Sequence, residues 1–241
     1  LGETFDYGPY AFMETYNPNY ICNHTDSQGR YSFSNQPSIA EWNCYALASA
    51  LIDLFSETEL RDILSKFNDY FYDSLIEKFR MKLGLKSALD NDYDLLLGLF
   101  EIMETDNLDY TNTFRNLSKM ISSPDDFEFS EKFSPWLTSY KERLSKDKNS
   151  IEQSILLMEE NNPKYILRNY LAQMAIEDAE KGKSEKIDQL AKVLRNPYID
   201  LGKSMEMYCK PCPRKPTEPT AQLLFLEQKK GFLFAPLNLY N

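Results

Sequence analysis

The sequence predicts a mainly α protein with one short strand at its start and a long loop ahead of the helices. Three observations carry this. From Ser38 onward apolar residues recur every three to four positions, the period of a helix face. Residues 6–37 keep no such period and hold Pro9, Pro18, Gly29 and Pro37. Before them, Thr4 and Phe5 have strand propensity, and Gly8-Pro9 forces a turn directly after.

The strand ends at Asp6-Tyr7-Gly8, which leaves an aspartate carboxylate free at a strand end. Such a group suits a hard cation such as Mg²⁺, which takes oxygen ligands and bridges them to phosphates. The tripeptide is a near copy of the Asp-Phe-Gly metal element of protein kinases. The loop behind it is long for a structureless connection. Its aromatic residues Tyr10, Phe12, Tyr16, Tyr20, Tyr31 and Phe33 are suited to pinning it to a body.

The helices follow in order. The first starts at Ser38, an N-cap with Glu41 completing a capping box, and carries Ile39, Trp42, Tyr45 or Ala46, Ala50 and Leu54 as its apolar stripe, with Cys44 beside it in the core. The second runs from Thr58 to Leu83 and ends at Gly84, a C-cap residue. Further helices are predicted over Asp92–Glu104 and Asp109–Met120. An acidic linker, Ser122–Ser130, separates them from helices over Pro135–Leu144 and Ser150–Glu160. The strongest pattern spans Pro163–Lys181, with Asn162 as N-cap and Pro163 at the first helical position, where its missing N–H costs nothing. A last helix covers Ser184–Leu194 and stops at Asn196-Pro197. Beyond Pro197 the periodicity fades, and residues 209–219 hold four of the twelve prolines. The chain therefore divides into 1–37, the metal-binding strand end and loop; 38–198, the helical body; and 199–241, a tail.

At 241 residues the chain makes one large domain or two small ones. Its net charge of −10 repels nucleic-acid phosphates, so no nucleic-acid partner is expected. No apolar run approaches the roughly 18 residues of a membrane span, so no membrane partner is expected either. Four cysteines (Cys22, Cys44, Cys209, Cys212) are too few to staple a chain of this length. Cys22, His24, Cys209 and Cys212 are also ligand types that zinc accepts, although Cys-x-His is not a usual finger spacing.

The loop carries a resemblance. Asp6-Tyr7-Gly8-Pro9-Tyr10-Ala11-Phe12-Met13 is followed by Tyr20-Ile21-Cys22-Asn23-His24-Thr25-Asp26, Gly29-Arg30-Tyr31-Ser32-Phe33, Asn35-Gln36-Pro37 and Trp42-Asn43. Further on come Asp109–Phe114, Asn162–Gln173, Ala175-Ile176-Glu177 and Asn196-Pro197-Tyr198. Together, in this order, these blocks resemble the selenoprotein O family over about residues 1–209. The resemblance implies the C-lobe of a protein-kinase-like fold with an activation-type loop. It implies a protein adenylyltransferase that moves AMP from ATP, with Mg²⁺ or Mn²⁺, to Ser, Thr or Tyr hydroxyls of protein substrates. Asp6 matches the family's metal-coordinating aspartate. The catalytic-loop Asp and the nucleotide-binding groups would lie upstream, so this stretch alone is expected to be inactive. The family's redox cysteines fall on Cys22 in the loop and on Cys209 near the end, with Cys212 an alternative partner. The resemblance implies an intracellular protein, mitochondrial in an animal-like eukaryote and cytoplasmic in a bacterium. The rival expectation is a catalytically dead helical scaffold that docks partners. Arg30 is expected to pair with a carboxylate within the protein, or else to meet a substrate phosphate. Arg168 and Asn169 are expected as buried polar anchors within a helix.

Overall fold

The computed structural model describes residues 11–23 and 25–213. The strand expected over Leu1–Asp6 and the tail beyond residue 213 lie outside the described residues. The chain falls into two compact units, Leu1–Pro163 and Lys164–Asn241. The described residues are mainly helical and form no strand; one isolated bridge joins Thr15 to Asp109.

The described residues of the first unit form seven α-helices: α1 (Gln36–Ala50), α2 (Glu57–Leu64), α3 (Phe67–Lys82), α4 (Asp92–Thr105), α5 (Tyr110–Ser122), α6 (Phe133–Ser145) and α7 (Ile151–Asn161). Its core lies in the second half of this list. Leu96, Leu99 and Met103 of α4 meet Phe114 and Leu117 of α5, Trp136, Tyr140 and Leu144 of α6, and Met158 of α7. Leu99, Met103, Leu117, Tyr140 and Met158 are fully enclosed. Truncating such a leucine to alanine costs roughly 2–5 kcal/mol. The polar tips of the aromatic residues find backbone partners: Trp136 Nε1 donates to Leu95 O at 2.8 Å, and the Tyr140 hydroxyl to Leu83 O at 2.5 Å. Burial holds the Tyr140 phenol protonated far above its ordinary range.

Two of the helix ends follow the sequence closely. Asp109 accepts from Asn112 N at 2.8 Å and caps α5. Ser150 and Gln153 form a reciprocal capping box on α7. At the far end of α7 two cations meet the last carbonyls, where the helix dipole is negative. Arg115 Nη1 donates to Glu159 O at 2.8 Å and Asn162 O at 2.9 Å, and Lys82 Nζ to Asn161 O at 3.3 Å. Lys82 also sits 5.0 Å from the Phe114 ring, and burial lowers its pKa to about 8.

Elsewhere the structure departs from the periodicity. The helix expected over Thr58–Leu83 is two helices, broken at Ser65–Lys66, with a capping box of Ser56 and Glu59 starting the first. The helix expected to start at Ser38 starts at Gln36, with Pro37 in its first turn, so the Ser38–Glu41 capping box does not form. Glu41 instead accepts from Asn68 Nδ2 of α3 at 3.3 Å. The apolar stripe of α1 is not a core stripe either. Neither α1 nor α2 buries a residue, Trp42 is 56% exposed, and Cys44 is half-buried.

The largest correction is at Asn162-Pro163. No helix starts there. Asn162 Nδ2 donates to Lys82 O at 2.7 Å, and that bond takes the side chain away from a capping role. Residues 163–168 run as irregular chain, with Lys164 N and Tyr165 N both donating to Pro197 O at 2.7 and 3.1 Å. Helix α8 (Asn169–Glu180) begins only after Arg168, and α9 (Glu185–Arg195) follows. The cost of the missing helical turn is offset by burial of Tyr165 and Ile166.

The second unit thus pairs α8 with α9 around Leu171, Ala175, Leu190 and Val193. Order extends past Pro197. Residues Lys203–Cys209 form a 3-10 helix whose Tyr208 is buried, with its hydroxyl donating to Gln189 Oε1 at 2.6 Å. Tyr170 holds the following residues by donating to Lys210 O at 2.8 Å.

Candidate functional site

Asp6, the candidate metal ligand, lies outside the described residues, as does His24. What the structure does show is how the loop behind Asp6 is built and fixed. Its first anchor is a clamp at residues 13–16. Met13 is buried, Tyr16 N donates to Leu108 O at 3.0 Å, and Tyr110 N donates to Glu14 O at 2.8 Å. The Tyr16 ring stacks on Phe100 of α4 at 4.8 Å and on Tyr110 of α5 at 6.0 Å, and Phe33 closes on both edge-on. Burial raises the pKa of both phenols; Glu104 adds to the rise at Tyr16, and Tyr16 adds to it at Tyr110. Both rings stay neutral at physiological pH and act as anchors, not as proton carriers.

The second anchor is polar. Asp26 accepts from Arg30 N at 2.9 Å and Tyr31 N at 2.7 Å, curling residues 26–31 into a tight turn. Gly29 sits at φ +64°, the left-handed region that favours glycine, and its carbonyl accepts from Asn35 Nδ2 at 3.1 Å. Phe33 N donates to Tyr20 O and Ser34 N to Pro18 O, each at 2.9 Å, folding the loop back on itself. The order that the aromatic residues foretold is real, but Asp26 and Asn35 share in making it. The signal for Asp26 was present: an aspartate three residues before a glycine is a turn former.

Arg30 departs from expectation. Its guanidinium lies 4.8 Å over the Trp42 ring and 5.6 Å from that of Tyr31, so among the described residues its close partners are aromatic faces. Arg168 matches expectation in burial though not in place: it is 1% exposed, precedes the helix, and donates from Nη2 to Cys209 O at 3.4 Å. Asn169 is the first residue of α8 and half-buried.

Among the described residues, no group of three or more His, Cys, Asp or Glu is placed to hold a metal ion. Asp26 spends its carboxylate on the turn and Asp109 on its helix cap. The described residues therefore do not by themselves fit a metal, and the candidate ligand stays Asp6. None of their helices is long and apolar enough to cross a membrane.

The redox candidates lie in different units. Cys22 is half-buried in the loop of the first unit; Cys209 and Cys212 belong to the second. The Cys209 thiol donates to Glu206 O at 3.1 Å. Burial, helped by the Glu206 charge, pushes its pKa up and keeps it protonated. Glu206 is held in turn by Lys164 at 3.3 Å, and Lys164 also reaches Asp200 at 2.8 Å. Lys164 lies 36 and 42 positions from the two acids it joins beside Cys209, and no local pattern in the sequence announced that link.

With this geometry in hand, comparison with known proteins places the chain. A family model described as "Protein adenylyltransferase SelO" matches residues 1–195. A protein nucleotidyltransferase YdiU of Vibrio parahaemolyticus is 42% identical over 221 residues, covering 87% of this chain and 45% of the relative. One from Pectobacterium atrosepticum is 40% identical over 228 residues, covering 87% and 47%, and one from Yersinia pseudotuberculosis is 42% identical over 206 residues, covering 83% and 43%. The chain spans about half the length of the curated relatives it matches. The matched residues include the Asp6 loop, its clamp on α4 and α5, and both helices of the second unit. The chain belongs to the SelO family.

Proposed function

We propose that this chain supplies the helical C-lobe and activation-type loop of a kinase-like protein adenylyltransferase, which transfers AMP from ATP to Ser, Thr or Tyr hydroxyls of proteins. The observation that carries the reading is the match to the adenylyltransferase family over residues 1–195, which takes in Asp6 and the ordered loop behind it. A divalent cation held by Asp6 would neutralise charge on the nucleotide phosphates. The chain's own part is positional. The Tyr16–Tyr110 clamp and the Asp26 turn fix the loop from Met13 to α1, the segment that follows Asp6 in the sequence. Preorganisation of this kind limits the reorganisation needed as charge builds in the transition state.

The experiment joins the chain to the remainder of a family protein and supplies ATP labelled at either the α- or the γ-phosphate. Label from the α position is expected on protein substrates, and Asp6→Ala is expected to lower its transfer at least 100-fold. Transfer of γ-label only would replace adenylyl by phosphoryl transfer; an Asp6→Ala variant of undiminished activity would remove Asp6 from the site. The 241-residue chain by itself is expected to incorporate no AMP. In the same reading Cys22 pairs with Cys209 or Cys212 under oxidation, with Cys209 reacting slowly until its thiol ionises. Mass spectrometry of non-reduced peptides across a pH series checks the pair and its pH dependence.

A further inference from the structure

A cleft of about 550 Å³ lies between the C-terminal half of α3, the turn that follows it and α7, all within the first unit. That volume is within the range of roughly 300–1,000 Å³ that holds small organic ligands. Backbone hydrogen bonds fix its floor. Leu85 N donates to Arg80 O at 2.8 Å across the Gly84 turn, and Lys86 N and Ser87 N donate to the Asp147 carboxylate at 3.2 and 3.1 Å. Leu85 is buried, Met81 and Leu157 are half-buried, and Leu156 is mostly exposed. Together these four side chains give the cleft an apolar wall.

Arg80 lines the same cleft, and its side chain is only 19% exposed. Its ion-pair contact is Asp92 Oδ2 at 4.0 Å, too long for a hydrogen bond. The Asp92 carboxylate is already filled. Arg143 donates to both of its oxygens, from Nε at 2.5 Å and Nη2 at 3.2 Å, and Leu89 N donates to Oδ2 at 3.0 Å. Among the described residues, no acceptor lies within hydrogen-bond distance of the Arg80 guanidinium. A largely buried fork of N–H donors without an acceptor is costly, and an anion in the cleft would offset that cost. Lys86, held beside Asp147 by its backbone, adds a second cation to the lining, whereas Glu77 of α3 and Glu160 at the end of α7 add two acids. A multiply charged phosphate would be repelled by both glutamates. A single carboxylate takes the Arg80 fork with less repulsion, and the apolar wall suits a hydrocarbon body behind it.

We propose that this cleft is a binding site for a small amphipathic carboxylate, with the carboxylate on Arg80 and the hydrocarbon body on Met81, Leu85 and Leu157. Binding there needs neither Asp6 nor adenylyl transfer, so an inactive protein would still take the ligand.

Octanoate is the probe, titrated calorimetrically into the 241-residue chain and into the chain joined to the remainder of a family protein, with Leu and Met methyl shifts followed in parallel. Saturable binding with a Kd below about 1 mM is expected in both, with shifts at Met81, Leu85 and Leu157. Arg80→Gln is expected to weaken binding by about 10-fold or more. Ala88→Phe narrows the cleft from an exposed position and is expected to do the same. Because it leaves Asp92 and Arg143 untouched, it decides the matter even if Arg80→Gln unfolds the chain. Octylamine, with the same hydrocarbon body and the opposite charge, is expected not to bind. Failure of octanoate to saturate would overturn the proposal, as would equal affinity for octylamine or undiminished binding by the folded variants. Binding by the chain that vanishes in the folded, joined protein would make the cleft a face covered in the whole fold and sink the idea as well.

Discussion

At the scale of single residues, the most consequential arrangement outside the loop is the buried pair of acids on Arg143. Its Nε lies 2.5 Å from Asp92 and its Nη1 3.3 Å from Asp147, and Nη2 donates to Ser87 O at 2.6 Å; all three charged side chains are at most 3% exposed. Asp147 pays a desolvation cost on burial, yet its pKa falls to about 2, because Asn149, Ser87 and Lys86 donate hydrogen bonds to the charged form. The folded-state pKa is thus below the ordinary value of 3.8. The group contributes stability above about pH 4, and that contribution, on the order of 2 kcal/mol, is lost as pH falls towards 2. Asp147→Asn is expected to flatten this acid limb, as followed by urea denaturation between pH 7 and pH 2. Arg143→Met removes the cation from two buried carboxylates, and roughly 3–5 kcal/mol of stability should go with it. A loss under 1 kcal/mol in the same assay would show the acids satisfied without it.

At the scale of elements, the join between α3 and α4 turns on Gly84. It sits at φ +70°, and a Cβ there would meet Ser154 O at 2.7 Å and the Met158 side chain at 3.1 Å. Both faults act together in Gly84→Ala, a strained backbone and a clash with the backbone of α7. The variant is expected to lose at least 2 kcal/mol, visible as a melting temperature lower by several degrees; an unchanged value would mean α7 yields without cost. The glycine was legible in the sequence as a C-cap, and the starts of α5 and α7 were placed within a residue of where Asp109 and Ser150 cap them, because capping depends on residues within one turn of each other. Asn162-Pro163 carried an equally strong local signal and was overruled. There the competing partners, Lys82 and Pro197, are 80 and 35 positions away, and a pattern of neighbours holds no trace of them.

At the scale of the whole molecule, the mainly α class followed directly from periodicity, since a helix face repeats whether or not its partner is known. The periodicity could not show whether a stripe is covered. Trp42 and Leu54 read as core from spacing alone, yet both are mostly exposed, and Trp42 meets the Arg30 guanidinium. The candidate site was legible in a different way. The ordered blocks from Asp6 to Trp42 identified the family before any geometry was known, whereas the supports of the loop, the Tyr16 stack and the Asp26 turn, are products of the fold. Cys22 and Cys209 were legible as residues only. The raised pKa of Cys209 comes from burial and from Glu206, and neither is visible in a list of letters.

The cluster at the end of α7 has a consequence for the order of folding events. Lys82, Arg115 and Asn161–Asn162 close loops of roughly 45 to 80 residues, long spans for a helical unit whose capping contacts lie within a few positions. Contacts of such range carry a high closure entropy, and as side-chain to backbone bonds at a helix end they are expected to form after the main hydrophobic packing of the unit. Arg115→Met is therefore expected to speed unfolding several-fold in stopped-flow urea jumps while leaving the refolding rate within a factor of two. A slowed refolding limb would place the end of α7 in the folding nucleus. With refolding unchanged and unfolding faster, the two basic side chains act as a latch on the finished unit, setting how long the fold lasts more than how quickly it is reached.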